Sequence, residues 1–336
     1  MKTLIVGTAS AVTVALAALT APSAALAADD ACGRVTIAEM SWNSAAMLAH
    51  MEAIILREGY GCDAELVPGD TVPTITSMTE KGEPDLAPEI WPNAAKEVLA
   101  QAEAEGRLVI AAKTLSDGGQ EGWFVPAYMV EAHPDLASIE GIKTSAGLFP
   151  DPEEPGKGRF YNCPSGWQCQ IVNENLFEAY GLDEAGFTMF DPGSGPGLAG
   201  AIAKAYEREE PVFAYYFSPT AVLGKYDMVM VGGMTHDPET WDCVTSADCD
   251  DPKPNMYPAS DILTVVTTRF AEDAPEAYGF VSSVSIPSDV INAVLAWQED
   301  NQATAEDAAL HFLEVYPELW TAWVPGEVVE KVKAAL

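Results

Sequence analysis

The stretch RVTIAEMSWNSAAMLAHMEAIILREGYGCDAELVPG, residues 34–69, predicts the fold class. It begins with a short apolar run that has the composition of a β-strand. The segment 41–61 then places apolar residues at helical spacing and closes on glycine. A second strand pattern occupies residues 64–69. A strand, a helix and a strand in this order predict a βαβ unit with two parallel strands.

The same alternation continues along the chain. Helical patterns cover residues 71–82, 96–106, 171–180 and 198–208, strand patterns cover 84–92, 211–217 and 262–270, and the C-terminal end is mostly helical. We therefore predict an α/β protein with two lobes. Lobe 1 comprises residues 28–140 together with 262–336, and lobe 2 comprises residues 141–261.

The N-terminal segment MKTLIVGTASAVTVALAALTAPSAALA, residues 1–27, has the form of a secretory signal peptide. One lysine precedes an apolar run, and the small-residue pattern Ala25-Leu26-Ala27 ends it. Basic stop-transfer residues do not follow, so we expect an exported, soluble protein without a retained membrane helix.

Six cysteines in an exported chain predict disulfides. Six cysteines allow many pairings, but the spacing favours three bonds: Cys32 with Cys62, Cys163 with Cys169, and Cys243 with Cys249. A zinc site is disfavoured, because the pairs lack the two-residue spacing of zinc ligands and no histidine accompanies them.

The formal net charge is −34, with an isoelectric point near 4.1. Nucleic acid is excluded as a partner because it requires a basic surface. Two explanations stay open: solubility in a salty or exposed compartment, and attraction of a cationic ligand by the long-range field. The loop DCVTSADCDDPKP is either a solvated acidic loop or a Ca²⁺ site, although it lacks EF-hand spacing. Its acidic residues are Asp242, Asp248, Asp250 and Asp251. No other cofactor is expected.

Three tryptophans occupy positions where a ligand is expected. Trp42 lies two residues after the strand pattern VTIAEM, Trp91 lies at the end of the strand pattern that contains LAPEI, and Trp167 lies in the small ring CPSGWQC, residues 163–169. Open α/β sheets bind ligands beyond the carboxyl ends of their strands. Several aromatic faces at one point attract a quaternary ammonium through their ring quadrupoles. The pattern predicts an aromatic cage for a methylated amine.

The segments CPSGWQC, IVNENLFEAYGL and AIAKAYEREEPVFAYYFSP resemble the glycine betaine/proline betaine-binding proteins of ABC importers. The resemblance runs over most of the mature chain and extends to the family's trimethylamine N-oxide binders. It implies a two-lobed periplasmic substrate-binding protein of the type II-like fold, with the ligand in the cleft between the lobes. It also implies a monomer that delivers its ligand to the permease and ATPase subunits of an importer.

The resemblance assigns the cage residue by residue. Trp167 is the ring tryptophan and Trp91 the loop tryptophan, while the third wall falls on Phe217, where the family has tryptophan. The remaining candidates are neighbours of that wall, replacements for the missing tryptophan, amide donors from the ring, and acidic partners near the cage. They are Tyr215, Tyr216, Trp42, Trp123, Gln168, Cys169, Glu89 and Glu131.

One departure from the family concerns the polar end of the ligand. Family members hold the betaine carboxylate with a histidine a few residues after the loop tryptophan, and this chain has Ala95 there. We therefore expect trimethylamine N-oxide to be preferred, followed by choline or glycine betaine.

An enzyme is not expected, because the chain has only four histidines and neither an H-E-x-x-H nor a G-x-S-x-G motif. A sugar-binding receptor or a secreted hydrolase with a triad assembled from distant positions are the alternatives.

Overall fold

The structure is a computed structural model, and it describes residues 32–336 together with Met1 and Thr3. The signal peptide predicted for residues 1–27 falls on residues outside this description. No helix within residues 32–336 is both long enough and apolar enough to cross a membrane.

The strands and helices confirm an α/β chain. The strands are β1 (Arg34–Met40), β2 (Asp63–Gly69), β3 (Leu86–Ile90), β4 (Leu108–Pro126), β5 (Gly158–Tyr161), β6 (Phe187–Phe190), β7 (Ala214–Ser218), β8 (Met228–Met230) and β9 (Ser260–Thr267). The first helices are α1 (Asn43–Ile54), α2 (Thr71–Lys81), α3 (Lys96–Ala104), α4 (Ala127–Ala132), α5 (Ile139–Lys143), α6 (Cys169–Ala179) and α7 (Gly195–Glu207). The later helices are α8 (Ala221–Lys225), α9 (Pro238–Val244), α10 (Thr268–Asp273), α11 (Pro275–Val281), α12 (Ser288–Asp300), α13 (Ala305–Val315), α14 (Pro317–Trp320) and α15 (Gly326–Ala335).

The predicted βαβ unit is present at the start of the described chain. Strand β1 pairs in parallel with β2 over its whole length, and α1 connects the two. A turn of π-helix, Ile55–Tyr60, extends α1, and Gly61 ends it with a φ of 72°, a left-handed conformation that favours glycine.

The strands follow the order β2-β1-β3-β9-β4-β7-β5-β6, and β8 pairs with β4. The long strand β4 belongs to both halves of this arrangement. Its residues 108–119 pair with β9, and its residues 120–124 pair with β7. The two lobes are therefore joined through neighbouring strands.

The strand pairing changes at Gly119, earlier in the chain than the lobe boundary predicted at residue 140. Residues 127–140 follow the part of β4 that pairs with β7 and β8, and Ser138 forms a bridge with Gly232. Lobe 2 in the structure thus begins near Gln120 and ends before β9. The glycines at the change of partner gave no sequence signal of a continuing strand, because glycine is depleted in strand interiors.

The three disulfides predicted from the spacing are confirmed: Cys32–Cys62, Cys163–Cys169 and Cys243–Cys249. The first fastens the segment before β1 to the start of β2. The second closes the ring around Trp167 and ends at the first residue of α6. The third closes the acidic loop after α9.

A buried aspartate, Asp85, connects β1 to the start of β3. We expect its removal to lower the stability of the protein strongly. Asp85 is 4% exposed, accepts hydrogen bonds from the backbone N–H (2.9 Å) and hydroxyl (2.8 Å) of Thr36, and lies 2.6 Å from the Arg269 guanidinium. Asp85→Ala leaves a buried N–H without its acceptor, so we expect the free energy of unfolding to fall by about 2–3 kcal/mol in urea titrations.

Asp261→Ala is the matched control, because Asp261 also carries an ion pair, 2.6 Å from Lys113, but its side chain is exposed. An exposed pair contributes about 0–1 kcal/mol. Equal losses of unfolding free energy in the two variants would mean that the burial of Asp85 does not determine how much it stabilises the protein.

Candidate ligand-binding site

Four aromatic rings meet where the two lobes join, two from each lobe. Trp42 and Trp91 belong to lobe 1, and Trp167 and Phe217 belong to lobe 2; we call these four residues the aromatic cluster. The ring centroids lie 5.2 Å apart for Trp42 and Trp167, 5.7 Å for Trp167 and Phe217, and 5.3 Å for Phe217 and Trp91. The corresponding interplanar angles are 76°, 78° and 80°. Rings that are successively near-perpendicular form the sides of a box.

The local sequence explains how each ring reaches the box. Trp42 immediately precedes α1 at the carboxyl end of β1, and Trp91 immediately follows β3. The carboxyl ends of β1 and β3, which pair in parallel, lie at the same edge of the sheet. Trp167 is held between the bonded Cys163 and Cys169. Phe217 lies on β7, opposite Glu121 of β4. The structure thus brings together four of the residues that the sequence singled out.

Lobe 1 holds its two tryptophans through one carboxylate. Glu89 is fully buried, and its Oε1 accepts hydrogen bonds from Trp42 Nε1 at 2.6 Å, Trp91 Nε1 at 2.9 Å and Ser44 Oγ at 3.1 Å. Burial raises the pKa of Glu89, while the three donors act in the opposite direction. Glu89 was predicted as a polar partner of the ligand, and the structure places it behind the two indoles, outside the set of residues that line the cavity.

Lobe 2 reaches lobe 1 through Trp167. Its indole Nε1 donates to Ser41 Oγ and to Asp70 Oδ1, each at 2.9 Å. Ser41 in turn donates to the same Asp70 oxygen at 2.5 Å. One side chain therefore forms a wall of the box and bonds the two lobes to each other.

The cavity that the aromatic cluster lines also has a carboxyl group in its lining that the sequence did not single out. Glu121 lies on β4, is 6% exposed, and accepts a hydrogen bond of 2.6 Å from the hydroxyl of Tyr215. Burial raises the pKa of Glu121 to about 7, against the opposing effect of the Tyr215 hydrogen bond. This carboxyl group changes charge near neutral pH.

The complete lining of the cavity is aromatic, acidic and neutral polar. It consists of Trp42, Thr71, Trp91, Glu121, Trp167, Gln168, Cys169, Tyr215 and Phe217. No lysine, arginine or histidine is among these nine residues. Gln168 and Cys169 bring the first turn of α6 to the cavity, and a helix N-terminus carries partial positive charge. The backbone N–H of Trp167 donates to the carbonyl of Pro164 at 3.2 Å.

Strand alternation separates the predicted tyrosines. Successive residues of a strand point to opposite faces, so Tyr215 and Phe217 of β7 share the cavity face and Tyr216 has the other. The structure agrees, because Tyr216 lies outside the cavity lining and beside a neighbouring cleft that α7 and α12 also line.

Two further predicted residues lie away from the aromatic cluster. Trp123 is two residues beyond Glu121 on β4, deeper in lobe 2, where it packs against Phe160 and Phe213 and donates to Asn173 at 2.8 Å. Glu131 is exposed at the end of α4. Neither lines the cavity, because β4 and α4 carry them into lobe 2 and onto its surface.

Ala95, the position where the family's histidine was expected, is buried between α3 and the preceding turn and does not line the cavity either.

The acidic loop does not gather its carboxylates. Within residues 32–336, no group of three or more histidine, cysteine, aspartate or glutamate side chains is placed to hold a metal ion. The four aspartates considered for calcium are all exposed: Asp242, Asp248, Asp250 and Asp251.

Comparison with known proteins identifies the family of the chain. Residues 33–315 match the family described as the substrate binding domain of ABC-type glycine betaine transport systems. A trimethylamine N-oxide-binding protein of Pelagibacter ubique (strain HTCC1062) is 25% identical over 297 residues, 85% of this chain and 89% of that protein.

Two solved structures share the fold. The glycine/betaine/L-proline-binding protein of a glycine betaine, L-proline ABC transporter from Borrelia burgdorferi superposes with a TM-score of 0.69 at 19% identity, covering 89% of this chain and 99% of that chain. An ABC-transporter choline binding protein in complex with choline gives a TM-score of 0.68 at 18% identity, covering 90% and 98%.

The two-lobed α/β fold and the family match together identify a substrate-binding component of an ABC importer. The chain belongs to the family of substrate-binding domains of ABC-type glycine betaine transport systems. It is a transport protein and not an enzyme, which removes the hydrolase alternative.

Because the pKa of Glu121 is raised, we expect Glu121→Gln to increase the free energy of unfolding in a pH-dependent way. A glutamate has a pKa near 4.5 when unfolded and this one about 7 when folded. As pH rises from 4.5 to 7, the unfolded chain loses the proton first, so wild-type stability falls, by about 3 kcal/mol in total. Glutamine still accepts from Tyr215 but cannot ionise. We expect the variant to match wild type at pH 4.5–5 and to exceed it above pH 7 in urea titrations.

Glu131→Gln, which changes an exposed glutamate of the same lobe, is the control. Stability curves of wild type and Glu121→Gln that stay parallel from pH 5 to 8 would contradict the assignment, because they would mean that the Glu121 carboxyl does not change its proton affinity on folding.

Proposed function

We propose that this protein is the periplasmic substrate-binding component of an ABC importer and that it captures a small methylated amine in the box of the aromatic cluster. Trimethylamine N-oxide is the preferred ligand, ahead of choline and glycine betaine. The observation that carries the proposal is the box itself: four successively near-perpendicular rings, two from each lobe, around a cavity without a cationic residue.

The box suits the trimethylammonium end. Each ring face attracts a diffuse positive charge by roughly 0.5–2 kcal/mol. A methylated nitrogen has no N–H to satisfy, so apolar walls desolvate it at little cost. The net charge of −34 adds a long-range attraction for cations.

The polar groups of the cavity suit a small oxygen end. Protonated Glu121 donates a hydrogen bond to the oxygen of an amine oxide, and the first turn of α6 presents partial positive charge beside it. Ionised Glu121 instead favours a net cation such as choline. Because the pKa of Glu121 is raised to about 7, both forms are present near neutral pH.

Glycine betaine fits these groups less well. Its carboxylate faces Glu121, and two carboxylates sharing a site disfavour each other's ionisation. No histidine lines the cavity to compensate. The similarity to a trimethylamine N-oxide-binding protein supports the same order of ligands.

The remaining parts of the proposal concern the cell. The predicted signal peptide supports a periplasmic location for the mature protein, and the three disulfides suit an oxidising compartment of that kind. We expect it to act as a monomer that presents its ligand to membrane permease and ATPase subunits.

The walls of the box predict a loss of affinity on truncation. Trp91→Ala and Trp167→Ala each remove a ring face from one lobe, so we expect dissociation constants for trimethylamine N-oxide at least tenfold higher, about 1.4 kcal/mol. Trp297→Ala is the control, because Trp297 lies on α12 and stacks on His311 outside the cavity. Unchanged affinity in both cage variants would remove the box as the ligand site.

The order of ligands is tested by calorimetry with trimethylamine N-oxide, choline, glycine betaine and glucose at one salt concentration. We expect trimethylamine N-oxide to bind most tightly and glucose not to bind. Glycine betaine binding tenfold more tightly than the others would contradict the order while retaining the box. Binding of glucose alone would replace the proposal by a sugar receptor.

A further inference from the structure

Glu89 is placed to act on the ligand without touching it. One of its oxygens, Oε1, accepts hydrogen bonds from the indole N–H groups of both lobe 1 tryptophans, Trp42 at 2.6 Å and Trp91 at 2.9 Å. The other oxygen, Oε2, is buried and has no hydrogen-bond partner in the part of the chain that the structure describes. A carboxyl group satisfied on one side only is an unusual arrangement for a fully buried side chain.

The backbone is built to present this carboxyl group. Between Ala87 and Ile90 of β3, two residues, Pro88 and Glu89, stand opposite the single residue Thr264 of β9. This is a β-bulge, which redirects a side chain at the cost of a ladder hydrogen bond. The freed Pro88 carbonyl accepts from the hydroxyls of Thr114 at 2.9 Å and Thr264 at 3.2 Å, both fully buried.

Burial makes the ionised form of Glu89 unfavourable unless a positive charge is nearby. An unpaired buried carboxylate is costly, and a neighbouring cation favours the ionised form. Trp42 and Trp91 line the cavity of the aromatic cluster, and no lysine, arginine or histidine is among its lining residues. Burial raises the pKa of Glu89, and a cation bound in this cavity would lower it again and favour the ionised form.

We propose that Glu89 is the positioning and polarising residue of the cage, which strengthens cation binding through the two indoles that separate it from the ligand. The inference rests on the proposed function and adds the origin of the cage's preference for positive charge.

The physical route has two parts. A carboxylate that accepts an indole N–H draws that hydrogen toward itself and leaves the ring more electron-rich, since hydrogen-bonded groups polarise one another in a low dielectric. The richer ring face attracts a cation more strongly. The carboxylate charge also acts directly across the rings, because a dry interior screens it weakly. Both parts act on a charged ligand and leave an uncharged ligand of the same shape unaffected.

The test compares Glu89→Gln with wild type. The glutamine oxygen accepts from Trp42, Trp91 and Ser44 as before, so the walls are held while the charge is removed. Glu52→Gln is the matched control, because Glu52 is another fully buried glutamate of lobe 1, on α1, whose two carboxyl oxygens have no partner among the described residues. Near-UV circular dichroism of each protein reports whether the tryptophans keep their surroundings.

Calorimetry gives the affinity for trimethylamine N-oxide, and competition gives the affinities for choline and for 3,3-dimethylbutan-1-ol, in which a neutral carbon replaces the choline nitrogen. With an unchanged near-UV spectrum, we expect Glu89→Gln to bind trimethylamine N-oxide and choline about tenfold more weakly, and the neutral alcohol within about twofold of wild type. Glu52→Gln is expected to bind all three like wild type.

Several results would overturn the inference. Unchanged affinity for trimethylamine N-oxide in Glu89→Gln would show that the charge does not reach the ligand. An altered near-UV spectrum, or an equal loss for the neutral alcohol, would show that Glu89 only supports the shape of the walls. Failure of wild type to bind any trimethylated amine would instead contradict the proposed function, a result distinct from both.

Discussion

The site depends on one strand, β4, that is shared by both lobes. Up to Gly119 the strand pairs with β9 of lobe 1, and from Gln120 it pairs with β7 of lobe 2. A Cβ at Gly119 would lie 2.5 Å from the Trp91 ring, so only glycine lets the indole approach. Two residues later, Glu121 stands opposite Phe217 on β7. The same short segment of β4 therefore contacts Trp91 of lobe 1 and pairs with the strand that carries Phe217 of lobe 2.

The sequence predicted much of this because its signals were local. Alternating strands and helices follow from apolar spacing, the disulfides follow from cysteine spacing, and Trp42 and Trp91 follow directly from their places after strands. Trp167 and Phe217 were located by a short ring and a strand motif, and both lie in the aromatic cluster.

What the sequence did not predict depends on partners distant along the chain. Glu121 is a single glutamate in the run GGQEGWFVP, and its function as a buried carboxyl group appears only when Tyr215 and the four rings surround it. Trp123 has the same strand face as Glu121 but lies deeper, where the aromatic core of lobe 2 covers it. Glu89 has a place behind the rings rather than among them because of a bulge opposite Thr264, which no residue spacing reveals.

In the proposed function, the hydrogen bonds of Trp167 couple release of the ligand to separation of the lobes. Its indole N–H binds Ser41 and Asp70 of the opposite lobe while its ring closes one side of the box. A movement that parts the lobes therefore breaks these bonds and carries Trp167 and Phe217 away from Trp42 and Trp91 together. A ligand bound as proposed would then lose two of its four aromatic walls together, so separating the lobes would lower the affinity of the site.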